Sequence, residues 1–161
     1  PAGLAVVIVR KDLIGSALQQ TPALLDYKTC ADSHSLANTT NTFALYMMSL
    51  VLKWLKQEGG VDAVEARNES KAKILYEVID ASDLYLGVSR LKDRSAMNVT
   101  FNFQNQDLLA PFIEQAESLG LYALKGHRDV GGARASIYNA MPVEGCKALA
   151  QFMLDFEKKN S

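Results

Sequence analysis

The segment Lys125-Gly126-His127-Arg128-Asp129-Val130-Gly131-Gly132-Ala133-Arg134 concentrates the side chains best equipped for chemistry. Three anion donors, His127, Arg128 and Arg134, flank a paired glycine. A guanidinium fork matches a carboxylate or phosphate with two parallel hydrogen bonds. Glycines let the backbone turn sharply and approach a ligand closely. From Arg134 onward, strand alternation puts Arg134, Ser136 and Tyr138 on one face and Ala135 and Ile137 on the other. The small, apolar face should pack inward, leaving Arg134 on a rigid strand and aimed away from the core. The pattern suits a small ligand with two separated anionic groups. A solvated basic loop with one structural ion pair is the other reading of these residues, since exposed pairs contribute little.

A second candidate is Asn38-Thr39 with Thr42, just before an apolar helix. Hydroxyls and backbone N–H groups at a helix start make an anion site. Ordinary capping by Asn41 or Thr42 explains the same residues.

The elements that must position these groups follow from hydropathy. Leu4 to Val9 is an apolar, β-branched run of strand length, the pattern of a strand covered on both faces in an α/β sheet. Lys11 to Leu36 is irregular. A helix is expected from about Thr42 to Gln57, apolar nearly all round and therefore buried or at a subunit interface. Gly59-Gly60 should end it. A second helix, about Asp62 to Asp80, is charged in its first half and apolar in its second. Met97 to Phe103 alternates with period two, a strand. Leu108 to Leu119 keeps helical spacing, with Gly120 closing it and Pro111 tolerable near the first turn. Leu121–Leu124 and Ala133–Asn139 are candidate strands. Pro142 opens a last helix whose apolar face holds Ala148, Leu149, Phe152, Met153 and Phe156, and Lys158 and Lys159 suit its C-terminal end.

Composition narrows the class. With 48% hydrophobic and 22% charged residues, the 161-residue chain can bury a sizeable core. A net charge of −1 lacks the basic field that broad nucleic-acid binding needs. The longest apolar run, Phe43 to Leu52, is too short for a bilayer, so no membrane association is expected. Cys30 and Cys146 form no metal pattern and read as reduced thiols. The N-x-S/T triplets at Asn38, Asn68 and Asn98 read as chance matches. A chain that opens at Pro1 directly before a buried strand reads as a fragment or a processed product.

The run Lys125-Gly-His-Arg-Asp-Val-Gly-Gly-Ala-Arg-Ala-Ser-Ile-Tyr-Asn-Ala-Met-Pro142 resembles the C-terminal signature of phosphoserine aminotransferases. Ser95-x-Met97-Asn98-Val99-x-Phe101, Asn38-Thr39 and the opening Pro1-Ala2-Gly3 with Val7-Ile8-Val9-Arg10 are similar to that family in the same order. The likeness spans essentially the whole chain. It implies the C-terminal part of a pyridoxal-phosphate-dependent transferase of fold type I. The expected fold class is α/β: an end segment of the large domain, long linking helices, and an α+β small domain with a mainly antiparallel sheet. Residues 1–60 would be the remnant of the large domain with an interface helix, and 61–161 the small domain.

The resemblance also implies function. The family is a homodimer that moves an amino group between glutamate and 3-phosphohydroxypyruvate, giving phosphoserine and 2-oxoglutarate in serine biosynthesis. Its location would be the cytoplasm, or the plastid if the source is a plant. By matching residue, Arg134 would clamp the substrate α-carboxylate, and His127 and Arg128 the phosphate or the distal carboxylate of glutamate. Asn38 and Thr39 would bind the phosphate of the cofactor, pyridoxal 5'-phosphate, across the dimer. The Schiff-base lysine would lie upstream of Pro1, so these residues alone should be inactive. Thr40-Asn41 stand where the family has two prolines, and Thr100 where it has one. Two other readings are carried alongside: a free-standing α+β module that binds a small dianion, and another aminotransferase of the same fold.

Overall fold

In the computed structural model, which describes residues 3–160, the chain divides between Gln57 and Glu58 into two compact units. The first holds two helices, α1 (Tyr27–Asp32) and α2 (Thr42–Gln57). Asp26 starts α1 by accepting a hydrogen bond from the Lys28 backbone N–H at 2.9 Å, and Lys28 pairs with Asp32 one turn on. Asn41 starts α2: its Oδ1 accepts from the Ala44 N–H at 3.0 Å. Thr42 is thus the first helical residue and Asn41 the cap.

One expectation fails in this unit, and another is narrowed. Residues 4–10 form no strand, and Ile8 is 95% exposed. A strand exists only beside a hydrogen-bonding neighbour, and among the described residues no strand of this unit lies there. Of the two expectations for helix α2, buried or at a subunit interface, burial within the chain is excluded: Ala44 is its buried residue, while Phe43, Tyr46, Val51 and Leu52 are about half exposed or more.

The second unit contains α3 (Gly60–Ala81), β1 (Tyr85–Gly87), β2 (Asn98–Phe103), α4 (Leu109–Ser118), β3 (Ala133–Ser136) and α5 (Val143–Asn160). The three strands form one antiparallel sheet in the order β1-β2-β3. Gly59, at φ +98°, caps α3 in the left-handed region. Helix α3 buries Val64, Asn68, Lys71, Ala72, Leu75 and Ile79, a stripe of helical period, and packs against α5.

The alternation of β2 is complete. Val99, Phe101 and Phe103 are buried, while Asn98, Thr100 and Asn102 stay half-exposed on the other face. Phe101 and Phe103 join Tyr85, Phe112, Phe152 and Phe156 in a cluster of mostly edge-to-face and tilted rings. The Tyr85 hydroxyl donates to the Met153 carbonyl at 2.8 Å inside that cluster.

Segment 121–124 is not a strand. Ala123 sits at φ +61°, which breaks the extended run, so contact with β3 shrinks to an isolated bridge between Lys125 and Ala133. Strand β3 also stops at Ser136 rather than Asn139. The Ile137 N–H still donates to the Met97 carbonyl, but the following carbonyls turn to another partner, Lys71.

Candidate functional site

The segment from Leu124 to Arg134 closes on itself as a hairpin. Arg134 N–H donates to the Leu124 carbonyl at 2.7 Å, and Gly126 N–H to the Gly132 carbonyl at 2.8 Å. At the tip, the His127 carbonyl accepts from both Val130 N–H (3.0 Å) and Gly131 N–H (2.7 Å). Gly131 and Gly132, at φ +77° and +65°, reverse the chain. A Cβ at Gly126 would run into the Gly131 carbonyl oxygen, and one at Gly132 into Asn102 Oδ1 and the Phe101 carbonyl oxygen. The glycines are required by close backbone packing.

This winding lifts His127 and Arg128 into solvent, with the Arg128 side chain 90% exposed. Asp129 N–H donates to His127 Nδ1 at 3.3 Å. That contact engages Nδ1 and leaves Nε2 as the ring nitrogen without a protein partner among the described residues. The Asp129 carboxylate lies 3.5 Å from His127 Nδ1 and 3.6 Å from Arg128 Nε. Such exposed contacts are loose, and the Arg128 guanidinium keeps free donors.

Arg134 stands on the outer face of the sheet. Its Cα pairs with Thr100, and Ser136, two residues on, pairs with Asn98. Ala133 and Ala135 point into the core, as alternation requires. Arg134 is half-buried, and its Nε is buried with no hydrogen-bond partner. Among the described residues no carboxylate pairs with it. A buried guanidinium N–H without an acceptor is unfavourable by roughly 1–3 kcal/mol, and more for a charged group. An anion on this face would supply the acceptor.

The structure thus places His127, Arg128 and Arg134 on one hairpin and the strand it feeds. Asn38 and Thr39 belong to the first unit, in the loop before α2, and both are exposed. Among the described residues the Asn38 amide reaches only the Thr39 carbonyl, at 3.4 Å. Sequence reasoning missed one participant: Asn102, read as a polar strand position, is the neighbour that Gly132 has to accommodate.

The family model for aminotransferase class-V matches residues 1–149. The chain belongs to the class-V aminotransferases. Solved structures similar to it include a phosphoserine aminotransferase studied for radiation damage of its Schiff base, 46% identical over 94% of this chain, with a TM-score of 0.87. Another is a phosphoserine aminotransferase from Bacillus circulans subsp. alkalophilus, 42% identical over 95% of this chain, with a TM-score of 0.90. A third, from Trichomonas vaginalis, has pyridoxal phosphate bound and is 36% identical over 85% of this chain, with a TM-score of 0.79. This class-V chain covers 42%, 43% and 39% of those three chains respectively. Membership of the class leaves the free-standing module without support.

Proposed function

We propose that this chain supplies the substrate-anchoring part of a phosphoserine aminotransferase. The enzyme would move an amino group between glutamate and 3-phosphohydroxypyruvate, giving O-phosphoserine and 2-oxoglutarate, a step of serine biosynthesis. One observation carries the reading: the buried, unpartnered Nε of Arg134 on the open face of the sheet, in line with the hairpin that raises His127 and Arg128. Phosphoserine and glutamate each carry an α-carboxylate and a second anion. On this reading Arg134 grips the α-carboxylate with its fork, and the Arg128 guanidinium and His127 Nε2–H take the phosphate or the distal carboxylate. Held at both ends, the substrate would present the bond to be broken in one orientation, which lowers the entropic part of the barrier.

Pyridoxal phosphate, when bound, draws electrons from the substrate α-carbon. The donor set of the first unit suits the cofactor's phosphate. The Thr39 hydroxyl makes no hydrogen bond among the described residues, and the Asn38 amide is satisfied only weakly. Both are exposed before the helix start of α2. In a homodimer they would hold the phosphate of the partner subunit's cofactor. The exposed apolar side chains of α2 are consistent with such an assembly.

The test is an assay of the complete polypeptide with pyridoxal phosphate, glutamate and 3-phosphohydroxypyruvate. O-phosphoserine should form, while these 161 residues alone, given the same cofactor, should not turn over. Turnover by the 161 residues, or failure of the complete protein to use the phosphorylated substrate, contradicts the reading.

A further inference from the structure

Lys71 is 0% exposed and lies on the core stripe of α3, next to Ala72 and one turn before Leu75. Among the described residues no carboxylate accompanies it. Its Nζ instead donates to three backbone carbonyls: Ile137 at 3.0 Å, Tyr138 at 2.8 Å and Met141 at 3.1 Å. An ammonium has three N–H donors, so the group is fully satisfied. One turn earlier, the buried Asn68 amide donates to Asn139 Oδ1 at 2.7 Å. Four hydrogen bonds from one face of α3 therefore hold residues 137–141.

Core stability alone is a poor explanation. A buried charge carries a desolvation penalty that an apolar side chain of similar volume avoids. Burial indeed pushes the Lys71 ammonium below the usual lysine range. The clamped segment follows β3 directly. That strand has four residues and lies at the edge of the sheet, and among the described residues its other side is paired only at the Lys125 bridge. A short edge strand is weakly fixed by its ladder alone. The first clamped carbonyl, that of Ile137, is three residues beyond Arg134.

We infer that Lys71, with Asn68, is a positioning residue of the carboxylate site: its buried ammonium gathers the carbonyls of Ile137, Tyr138 and Met141 and so fixes the strand that carries Arg134. The inference rests on the reading of Arg134 as carboxylate anchor. Without the clamp the strand end is free to twist, and the guanidinium fork leaves its productive orientation. A displacement of this kind acts on substrate capture through either half-reaction, since both substrates present the same α-carboxylate.

The experiment is a double-mutant cycle in the complete holoenzyme with glutamate and phosphoserine. Lys71→Met should raise KM for both on the order of tenfold, with kcat within about threefold of the parent. Added to Arg134→Ala, it should change KM by less than about twofold, because the residue it positions is gone. Asn139→Ala, which removes one of the four bonds, should shift KM in the same direction and show the same non-additivity. In Lys71→Ala, n-propylammonium should lower KM again, and the neutral n-propanol should not. These last two variants decide the matter if Lys71→Met does not fold.

An unchanged KM in Lys71→Met or Asn139→Ala, beside a lowered melting temperature, overturns the inference and leaves Lys71 a structural residue. Full multiplicativity with Arg134→Ala, or equal rescue by n-propanol, overturns it too. An Arg134→Ala enzyme with unchanged KM fails differently: it removes the carboxylate reading, and the positioning role with it.

Discussion

Arg134 faces Thr100 directly across the β2–β3 ladder, on the side of the sheet that turns away from the aromatic core. The pairing register fixes this. A slip of one residue would carry Arg134 into the core and expose Ala133 and Ala135. The guanidinium is therefore set by the sheet, while His127 and Arg128 are set by the hairpin that leads into it. Disturbing either support should change the site in a distinguishable way.

Gly132 is the joint between the two supports. A methyl group there meets Asn102 and the Phe101 carbonyl oxygen, the latter at 2.7 Å, and the backbone has φ +65°. Gly132→Ala should destabilise the protein by about 2–4 kcal/mol, from the unfavourable backbone and the clash together. Gly131→Ala has the same sign of φ but open space around its Cβ, so it should lose only about 1–2 kcal/mol. Urea denaturation of both variants checks the order; equal losses would mean that the contact with β2 is not what requires the glycine.

Arg94 and Asp80 supply a pH signature that involves none of the three candidate site residues. Arg94 donates to both carboxylate oxygens, at 2.6 and 2.5 Å, and its guanidinium lies 4.4 Å from the Tyr76 ring centroid. These bonds hold the Asp80 carboxyl below its usual range. A depressed folded-state value means the contribution is present above the unfolded value, near 3.9, and is lost as pH falls through the folded one. Asp80 is half-exposed, so solvent screening keeps the effect small. Asp80→Asn should lower stability by about 0.5–1 kcal/mol at pH 7. Below about pH 4 the gap should close, because the parent loses the same pair. A gap that stays constant from pH 7 to pH 2.5 would be evidence against a charged pair.

The two cysteines should react at very different rates. Cys146 lies in the core of α5, and burial pushes its thiol up. Cys30, on α1, is half-exposed. A thiol-titrating disulfide reagent should modify Cys30 quickly and Cys146 only after unfolding, as thiolate chemistry needs both access and ionisation. Rapid reaction of both thiols in the native protein would show that the segment over Cys146 opens freely.

Much of the site was legible in the sequence because period two and period 3.6 are strong signals. The bounds of α2 follow from Asn41, the apolar run and the glycine pair. Arg134 was placed on the outer face by Ala135 and Ile137 alone. Other features depend on contacts that no local pattern carries. Leu121 to Leu124 has strand composition, yet the left-handed backbone at Ala123 breaks it. Leu4 to Val9 has the composition of a buried strand, but pairing is decided by a neighbour. Strand β1, at three residues, is too short to show alternation. Lys71 sits in the charged half of α3 and reads as solvated until the carbonyls of residues 137–141 are seen beside it. The unpartnered Nε of Arg134 is likewise a property of the folded sheet.

The most direct test compares substrate selectivity in Arg128→Ala and Arg134→Ala of the complete enzyme. If Arg134 holds the α-carboxylate, its loss should lower kcat/KM for phosphoserine and for unphosphorylated amino-acid substrates alike, by about 100-fold or more. If Arg128 holds the distal anion, its loss should weaken phosphoserine at least about tenfold more than an analogue without the phosphate. Equal losses for both substrates in Arg128→Ala, or a phosphate-selective loss in Arg134→Ala, would contradict the assignment of the two ends.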